Sequence, residues 1–203
     1  MVSSRSHWEA VYATRAETAV SWYQPRATLS LKFITTLANR EMQIVDIGAG
    51  ASVLVDDLLM QGYEHLTVVD LAQSALARAQ LRLGTRATCV SWVSADVTQW
   101  TPPRAYDVWH DRAVFHFLTE PAQQDAYIAA LTAGTHSGSS VIIATFAPDG
   151  PETCSGLPVQ RYSPAALARR LGPAFALTDQ AEENHRTPRG TEQRFCYAVL
   201  RRH

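Results

Sequence analysis

Three acidic residues and two glycines fall at spacings that suit the binding of a small ligand by backbone and carboxylate groups. The stretch "IVDIGAG" places Asp46 shortly before Gly48 and Gly50. Glycine lets the chain turn sharply and lets bare backbone approach a ligand closely. Asp70 and Asp96 end two later apolar runs, "HLTVVD" and "TCVSWVSAD". A carboxylate at the position of Asp70 can accept hydrogen bonds from both hydroxyls of a ribose.

A second group of reactive side chains lies in "YDVWHDRAVFHFL", residues 106–118. We expect catalytic groups among His110, Asp111 and His116, since an imidazole is able to accept a proton near neutral pH. Arg112 in the same stretch is a candidate for substrate binding. The alternative is structural, with Asp111 and Arg112 forming an ion pair and His116 lining the core.

Three further segments carry candidate substrate-binding side chains. Residues 146–164 are rich in glycine and proline, and long segments of this kind are usually binding loops or lids. A loop is also predicted at 183–195, between the last two strands, and the third segment is the aromatic "AVSWYQP" at 19–25. The candidates are Cys154, Arg161, His185, Trp22 and Tyr23. Simpler alternatives are a small buried thiol, a surface ion pair, a hairpin turn and aromatic packing against the sheet.

Alternating apolar runs and helical spacings predict the elements that position these residues. Runs typical of buried strands occupy 43–48, 65–70, 88–96, 105–111 and 140–147. Helix-like segments separate them, which indicates a parallel sheet with helices on both faces. Two last candidate strands, 174–182 and 192–202, are joined without a helix, which favours antiparallel pairing. In such sheets, ligands bind at the carboxyl ends of the strands.

The composition excludes several classes of protein. The 203 residues are 46% hydrophobic and carry a net charge of −1, so the chain is globular and has no basic excess for nucleic acid. Three cysteines without a C-x-x-C pattern argue against a disulfide framework or a zinc site. We expect no metal, although Cys154, His116 and His185 could meet in space. With no secretory signal and no apolar run of about 18 residues, we expect a cytoplasmic protein that does not bind membranes.

The D-x-G-x-G turn, the acid Asp70 and the "SAD" that ends the third strand together resemble the class I S-adenosylmethionine-dependent methyltransferases. A nicotinamide enzyme is the rival, but its fingerprint requires Gly or Ala at the position of Val53. In addition, Asp46 would face a pyrophosphate unfavourably. The resemblance implies an α/β, Rossmann-like, doubly wound seven-stranded sheet of order 3-2-1-4-5-7-6 with the last strand antiparallel. With no repeats, low-complexity segments or linker in the sequence, we expect a single domain over 1–203, with a helical cap at 1–40 and the core at 41–203.

The resemblance implies roles for individual residues as well. The glycine turn would cradle the methionine part of S-adenosyl-L-methionine, and Asp70 would bind its ribose with Leu71 beside the adenine. Asp96 would accept from the adenine amino group, and Val97 would offer its backbone amide to a ring nitrogen. The predicted cofactor-binding residues are Asp46, Gly48, Gly50, Asp70, Leu71, Asp96, Val97 and His110.

The family's chemistry is an SN2 transfer of a methyl group from a sulfonium. We expect a small-molecule acceptor, because aromatic residues of the N-terminal segment and two long loops surround the site. The alternative is N-methylation of a protein lysine, as some distant relatives perform. "HDRA" at 110–113 replaces the N-P-P-Y of many amine-methylating enzymes, which disfavours nucleic-acid substrates. A module that only senses the cofactor is a third hypothesis, and the oligomeric state stays open between monomer and dimer.

Overall fold

The computed structural model describes residues 4–203 of the chain. Within this range, none of the helices has the length and apolar character that crossing a membrane requires. Short 3-10 segments lie at Glu17–Ala19, Gly84–Cys89 and Phe115–Phe117. The α-helices are α1 (Ser4–Thr14), α2 (Thr28–Leu37), α3 (Leu54–Met60), α4 (Gln73–Leu83), α5 (Pro121–Ala133) and α6 (Pro164–Leu171).

The strands form one large sheet and one small hairpin. Their bounds are β1 (Ile44–Ile47), β2 (Leu66–Asp70), β3 (Val90–Ser94), β4 (Tyr106–Arg112), β5 (Thr135–Phe146), β6 (Thr153–Cys154), β7 (Leu157–Pro158), β8 (Phe175–Arg186) and β9 (Glu192–Arg202). The seven-stranded sheet has the order β3-β2-β1-β4-β5-β9-β8. Strands β1 to β5 run parallel, while β9 is antiparallel to both β5 and β8. The predicted order and the antiparallel last strand are therefore confirmed.

Helices cover both faces of the sheet, as the alternating pattern predicted. One face buries side chains of α2, α3 and α4, such as Ile34, Leu58 and Leu76, against the central strands. The other buries side chains of α5 and α6, such as Leu131 and Leu167. All four residues of β1 are buried, which is expected for a central parallel strand covered on both faces. The carboxyl ends of β1, β2, β3 and β4 are thereby held at one edge of a rigid layer.

Two segments predicted as loops contain strands. The hairpin loop predicted at 183–195 is shorter, because β8 continues to Arg186 and β9 begins at Glu192. Edge strands often carry charged residues, and the run "EENHR" reads as a loop for that reason. Within 146–164, β6 and β7 pair as a small antiparallel hairpin.

Candidate functional site

Two adjoining cavities lie at the carboxyl ends of the parallel strands. The first cavity follows the ends of β2, β3 and β4 and encloses about 820 Å³, counting the open solvent at its mouth. The second cavity lies beside β1 and α2 and encloses about 550 Å³ by the same measure. Trp22, Gly48 and Arg112 line both cavities. The two spaces therefore meet at the glycine turn.

The two glycines of the turn are needed for close approach as well as for their backbone angles. Gly48 and Gly50 have φ values of 63° and 56°, which L-residues with a side chain rarely adopt. A Cβ on Gly48 would lie 1.9 Å from Val114 Cγ2, and a Cβ on Gly50 would lie 2.1 Å from the Tyr12 hydroxyl oxygen. The absence of side chains here lets α1 and the segment after β4 pack onto the turn.

Asp70 is joined directly to the glycine turn. Its Oδ2 accepts from the Gly50 amide at 2.7 Å, and its Oδ1 accepts from the Ala72 amide at 2.7 Å. Burial raises the pKa of this carboxyl to about 6, and the two backbone hydrogen bonds oppose that shift. Asp70 lines the first cavity, and each carboxylate oxygen keeps a second lone pair for a ligand hydroxyl. The predicted ribose contact is therefore geometrically possible.

The predicted adenine-binding residues lie together in the first cavity. Leu71, Asp96 and Val97 all line it, near the ends of β2 and β3. Asp96 Oδ1 accepts from the amide and the hydroxyl of Thr98 at 2.9 and 2.7 Å. These bonds orient the Asp96 carboxylate, while its role toward adenine stays a prediction.

A group of aromatic residues lines the first cavity, and the sequence predicted only one of them, Trp22, as a site residue. The Trp8 ring lies 5.6 Å from that of Trp22 and 5.1 Å from that of Phe117, edge to face in both pairs. Tyr12 lies 6.1 Å from Trp22. Trp8, Tyr12 and Phe117 were not predicted as site residues. The helical spacing of Trp8 and Tyr12 puts them on one face, which was the available signal.

Polar contacts hold α1 over the first cavity. The Glu9 carboxylate accepts from the amides of Gln73 and Ser74 at 2.7 and 3.2 Å. Arg5 donates to the carbonyl oxygen of Leu71 at 2.7 Å. The helix that carries Trp8 is thus fixed to the start of α4 and to the end of β2.

The second cavity contains a buried carboxylate–histidine pair. Asp46 Oδ1 lies 2.7 Å from His110 Nδ1, and His110 Nε2 lies 2.9 Å from Ser30 Oγ. Tyr23 also lines this cavity. Both ring nitrogens of His110 are hydrogen-bonded to other side chains, and its role as a base stays a prediction. Ser30 was missed, since nothing in a helical "TLSLKF" distinguishes it from an ordinary core serine.

Arg112 stands at the junction of the two cavities. Its Nη2 donates to Glu183 Oε2 at 2.9 Å, and its Nε donates to the Tyr197 hydroxyl at 3.2 Å. The guanidinium carbon also lies 4.2 Å from the centre of the Phe195 ring. The cation therefore borders both cavities while its counterion, which lines neither of them, comes from β8.

Two of the three predicted catalytic residues lie outside both cavities. Asp111 is fully buried and accepts from the Val114 amide at 2.9 Å and from the Tyr127 hydroxyl at 2.7 Å. His116 is fully buried, and burial with the nearby Arg112 charge lowers its pKa to about 3. Asp111 holds the chain after β4, and it does not pair with Arg112 as the structural alternative supposed. The geometry gives neither residue support for a catalytic role.

Some of the predicted substrate-binding residues line a cavity, and others do not. Cys154 lines the first cavity, and burial raises the pKa of its thiol to about 11, so it stays protonated. Arg161 pairs instead with Glu152 at 2.9 Å, and His185 Nε2 donates to the carbonyl oxygen of Ser21 at 2.7 Å. Neither of these two residues lines a cavity. Across residues 4–203, no three His, Cys, Asp or Glu side chains cluster as metal ligands would.

Comparison with known proteins finds methyltransferases. The family model of the methyltransferase domain matches residues 44–137. A malonyl-[acyl-carrier protein] O-methyltransferase of Anoxybacillus flavithermus is 26% identical over 189 residues, which cover 90% of this chain and 70% of the relative. An eEF1A lysine and N-terminal methyltransferase of Mus musculus is 28% identical over 102 residues, which are 50% of this chain but 14% of the relative.

Solved structures share the fold over almost the whole chain. The N-methyltransferase NodS of Bradyrhizobium japonicum, in complex with S-adenosyl-L-homocysteine, superposes with a TM-score of 0.73 at 15% identity, covering 97% of this chain and 98% of NodS. A 1,6-didemethyltoxoflavin-N1-methyltransferase of Burkholderia thailandensis superposes with a TM-score of 0.73 at 20% identity, covering 98% of this chain and 86% of that enzyme.

The family match spans the glycine turn, Asp70 and the whole of β4, which are among the parts that border the two cavities. The curated relative extends the likeness across nearly all of the chain, and the sheet order agrees. The cofactor is therefore S-adenosyl-L-methionine, and the domain match over residues 44–137 together with the shared fold supports a class I S-adenosylmethionine-dependent methyltransferase.

Proposed function

We propose that the chain transfers a methyl group to a small-molecule nucleophile. The observation that carries this proposal is the enclosure of the first cavity by Trp8, Trp22 and Phe117 beside Arg112. When bound, the cofactor supplies an electrophilic methyl group on a sulfonium. The task of the chain is then to orient the acceptor and to exclude water.

The residues present fit the cofactor in the following arrangement. Gly48 of the turn lines both cavities where they meet, and Asp70 offers lone pairs to ribose hydroxyls. Leu71, Asp96 and Val97 surround the space assigned to adenine. We assign the methionine part to the second cavity, where the Asp46 carboxylate suits an ammonium group.

The acceptor side of the first cavity is apolar and offers no base. We assign to it Trp8, Trp22, Arg112, Phe117, Leu118 and Cys154. None of these six side chains carries a free basic atom, since Arg112 is a cation and the thiol of Cys154 stays protonated. The proposed acceptor is therefore already nucleophilic near neutral pH and needs no deprotonation by the chain.

A protein lysine is the alternative acceptor, and the name of the mouse relative supports it. Arg112 argues against it, because the guanidinium borders the cavity while Glu183 lies behind. Like charges repel at short range, and the pairing of Arg112 with Glu183 at 2.9 Å reduces this repulsion without cancelling it. A lysine ammonium entering this cavity would meet that repulsion. The names of the relatives cover oxygen and nitrogen acceptors, so likeness does not assign the acceptor atom.

A methyl-labelling experiment separates the two acceptors. The protein is incubated with methyl-labelled S-adenosylmethionine and a cell lysate split into small-molecule and protein fractions, followed by a panel of thiols, amines, phenols and carboxylates. We expect label in the small-molecule fraction, and loss of that label in Phe117→Ala. Label confined to a protein band would contradict the proposal and favour lysine. Glu64→Ala, an exposed change away from both cavities, serves as the matched control.

A further inference from the structure

A chain of buried hydrogen bonds connects the second cavity to the junction of the cavities. Asp46 Oδ1 and His110 Nδ1 are 2.7 Å apart, and His110 Nε2 and Ser30 Oγ are 2.9 Å apart. Ser30 Oγ lies 3.2 Å from the Tyr197 hydroxyl, which lies 3.2 Å from Arg112 Nε. Four separate elements contribute, namely β1, β4, α2 and β9. Both ends of this chain border the space assigned to the cofactor.

The donors and acceptors of this chain fit one direction. Arg112 Nε is able only to donate, so the Tyr197 oxygen accepts there and its proton is left for Ser30. The Ser30 hydroxyl then donates to His110 Nε2. His110 Nδ1 carries the remaining ring proton and donates to the Asp46 carboxylate. Every proton runs from the Arg112 cation toward the Asp46 anion.

A His110 ring that carries protons on both nitrogens leaves a buried hydroxyl proton without an acceptor. If His110 donated from Nε2 as well, Ser30 would accept there, and either its own proton or that of Tyr197 would lose its acceptor. Both residues are fully buried, and a buried donor without a partner costs about 1–3 kcal/mol. The chain therefore selects the neutral ring with its proton on Nδ1.

We propose that Tyr197, which lines neither cavity, is a positioning residue for methyl transfer and acts through Ser30. Together the two hydroxyls fix the His110 tautomer, hold the Asp46 carboxylate in the second cavity, and hold Arg112 at the junction. Networks of this kind strengthen and orient the groups at their ends. The inference rests on the proposed placement of the methionine part in the second cavity.

Binding of S-adenosyl-L-homocysteine, measured by calorimetry, tests the positioning role without any acceptor. We expect Tyr197→Phe and Ser30→Ala each to weaken binding roughly tenfold, as loss of one buried hydrogen-bond partner implies. Tyr63→Phe and Ser139→Ala are the matched controls. Their hydroxyls are buried and bonded to the carbonyl oxygens of Ala38 and Tyr106, away from both cavities. The controls should bind like the wild type.

The outcomes separate the two proposals. Unchanged affinity in Tyr197→Phe, or equal losses in the control variants, would overturn the positioning role. Loss of binding in Asp70→Ala with normal binding in Tyr197→Phe would support the cofactor placement and overturn only this inference. Ser30→Thr, which keeps the hydroxyl, should retain most of the affinity lost in Ser30→Ala.

A spectroscopic measurement on the wild type covers the case in which Tyr197→Phe fails to fold. With ¹⁵N-labelled histidine, two-bond proton–nitrogen correlations report which ring nitrogen carries the proton. The chain has seven histidines, and the His110 signals are assigned by their absence in His110→Gln. We expect the neutral ring with the proton on Nδ1. A proton on Nε2 at neutral pH would contradict the direction of the hydrogen-bond chain.

Discussion

At the scale of single residues, Asp70 links the glycine turn to the proposed ribose contact. Its two oxygens already accept from the Gly50 and Ala72 amides. Only the ionised carboxylate accepts a full set of hydrogen bonds, and protonation places a donor where a ribose hydroxyl should donate. Since burial raises the pKa of Asp70 to about 6, cofactor binding should depend on pH within an accessible range.

The expected pH dependence has a definite sign. Below pH 6 the ionised fraction of Asp70 falls, so the affinity for S-adenosyl-L-homocysteine should drop about tenfold per pH unit. Asp70→Asn should bind weakly at every pH and lose this dependence. Asp107→Asn, a change at the opposite end of β4, should behave like the wild type. Calorimetry from pH 5 to pH 8 measures this, and a flat wild-type profile would refute the assignment.

At the scale of elements, α1 matters because it carries Trp8 over the first cavity. The Glu9 carboxylate replaces the side-chain cap that α4 lacks, since the residue before that helix is Ala72. Glu9→Ala should release the first amides of α4 and destabilise the docking of α1 by about 1 kcal/mol, the usual worth of a cap. Faster hydrogen exchange at Gln73 and Ser74 would report it. Glu9→Gln keeps one acceptor oxygen, so its exchange rates at these two amides should lie between those of the wild type and of Glu9→Ala. Unchanged exchange in Glu9→Ala would contradict the capping role.

The parallel strands and the glycine turn were predictable, because local apolar runs and turn residues encode them, whereas the strand order was predicted only through the family resemblance. The length of β8 was not, since its charged residues suit an exposed edge as well as a loop. The aromatic group at the first cavity and the hydrogen-bond chain could not be predicted from the sequence either. Trp8, Ser30 and Tyr197 lie far apart along the chain, and only tertiary packing brings them to Trp22, His110 and Arg112.

At the scale of the whole molecule, two buried groups that lie outside the cavities oppose each other in their effect on stability. Burial raises the pKa of Asp111 to about 6, so the native state holds its proton longer than the unfolded chain does. The free energy of unfolding therefore falls as pH rises from about 4 to about 6. His116 acts in the opposite sense, because its native pKa is lowered from 6.5 to about 3. Between pH 4 and pH 6 the two contributions partly cancel.

Substitution of either Asp111 or His116 should reveal the effect of the other on the pH dependence of the free energy of unfolding. The unfolded chain binds a proton at His116 below about pH 6.5 while the native ring stays neutral, so this residue alone lowers the free energy of unfolding by up to about 1.4 kcal/mol per pH unit on acidification. His116→Leu should cost stability at pH 7, where it changes packing against Phe146 and Phe195. Relative to the wild type, however, the free energy of unfolding of His116→Leu, measured with urea, should fall less between pH 7 and pH 4. Asp111→Asn should show the reverse difference, and parallel pH profiles for all three proteins would contradict the argument.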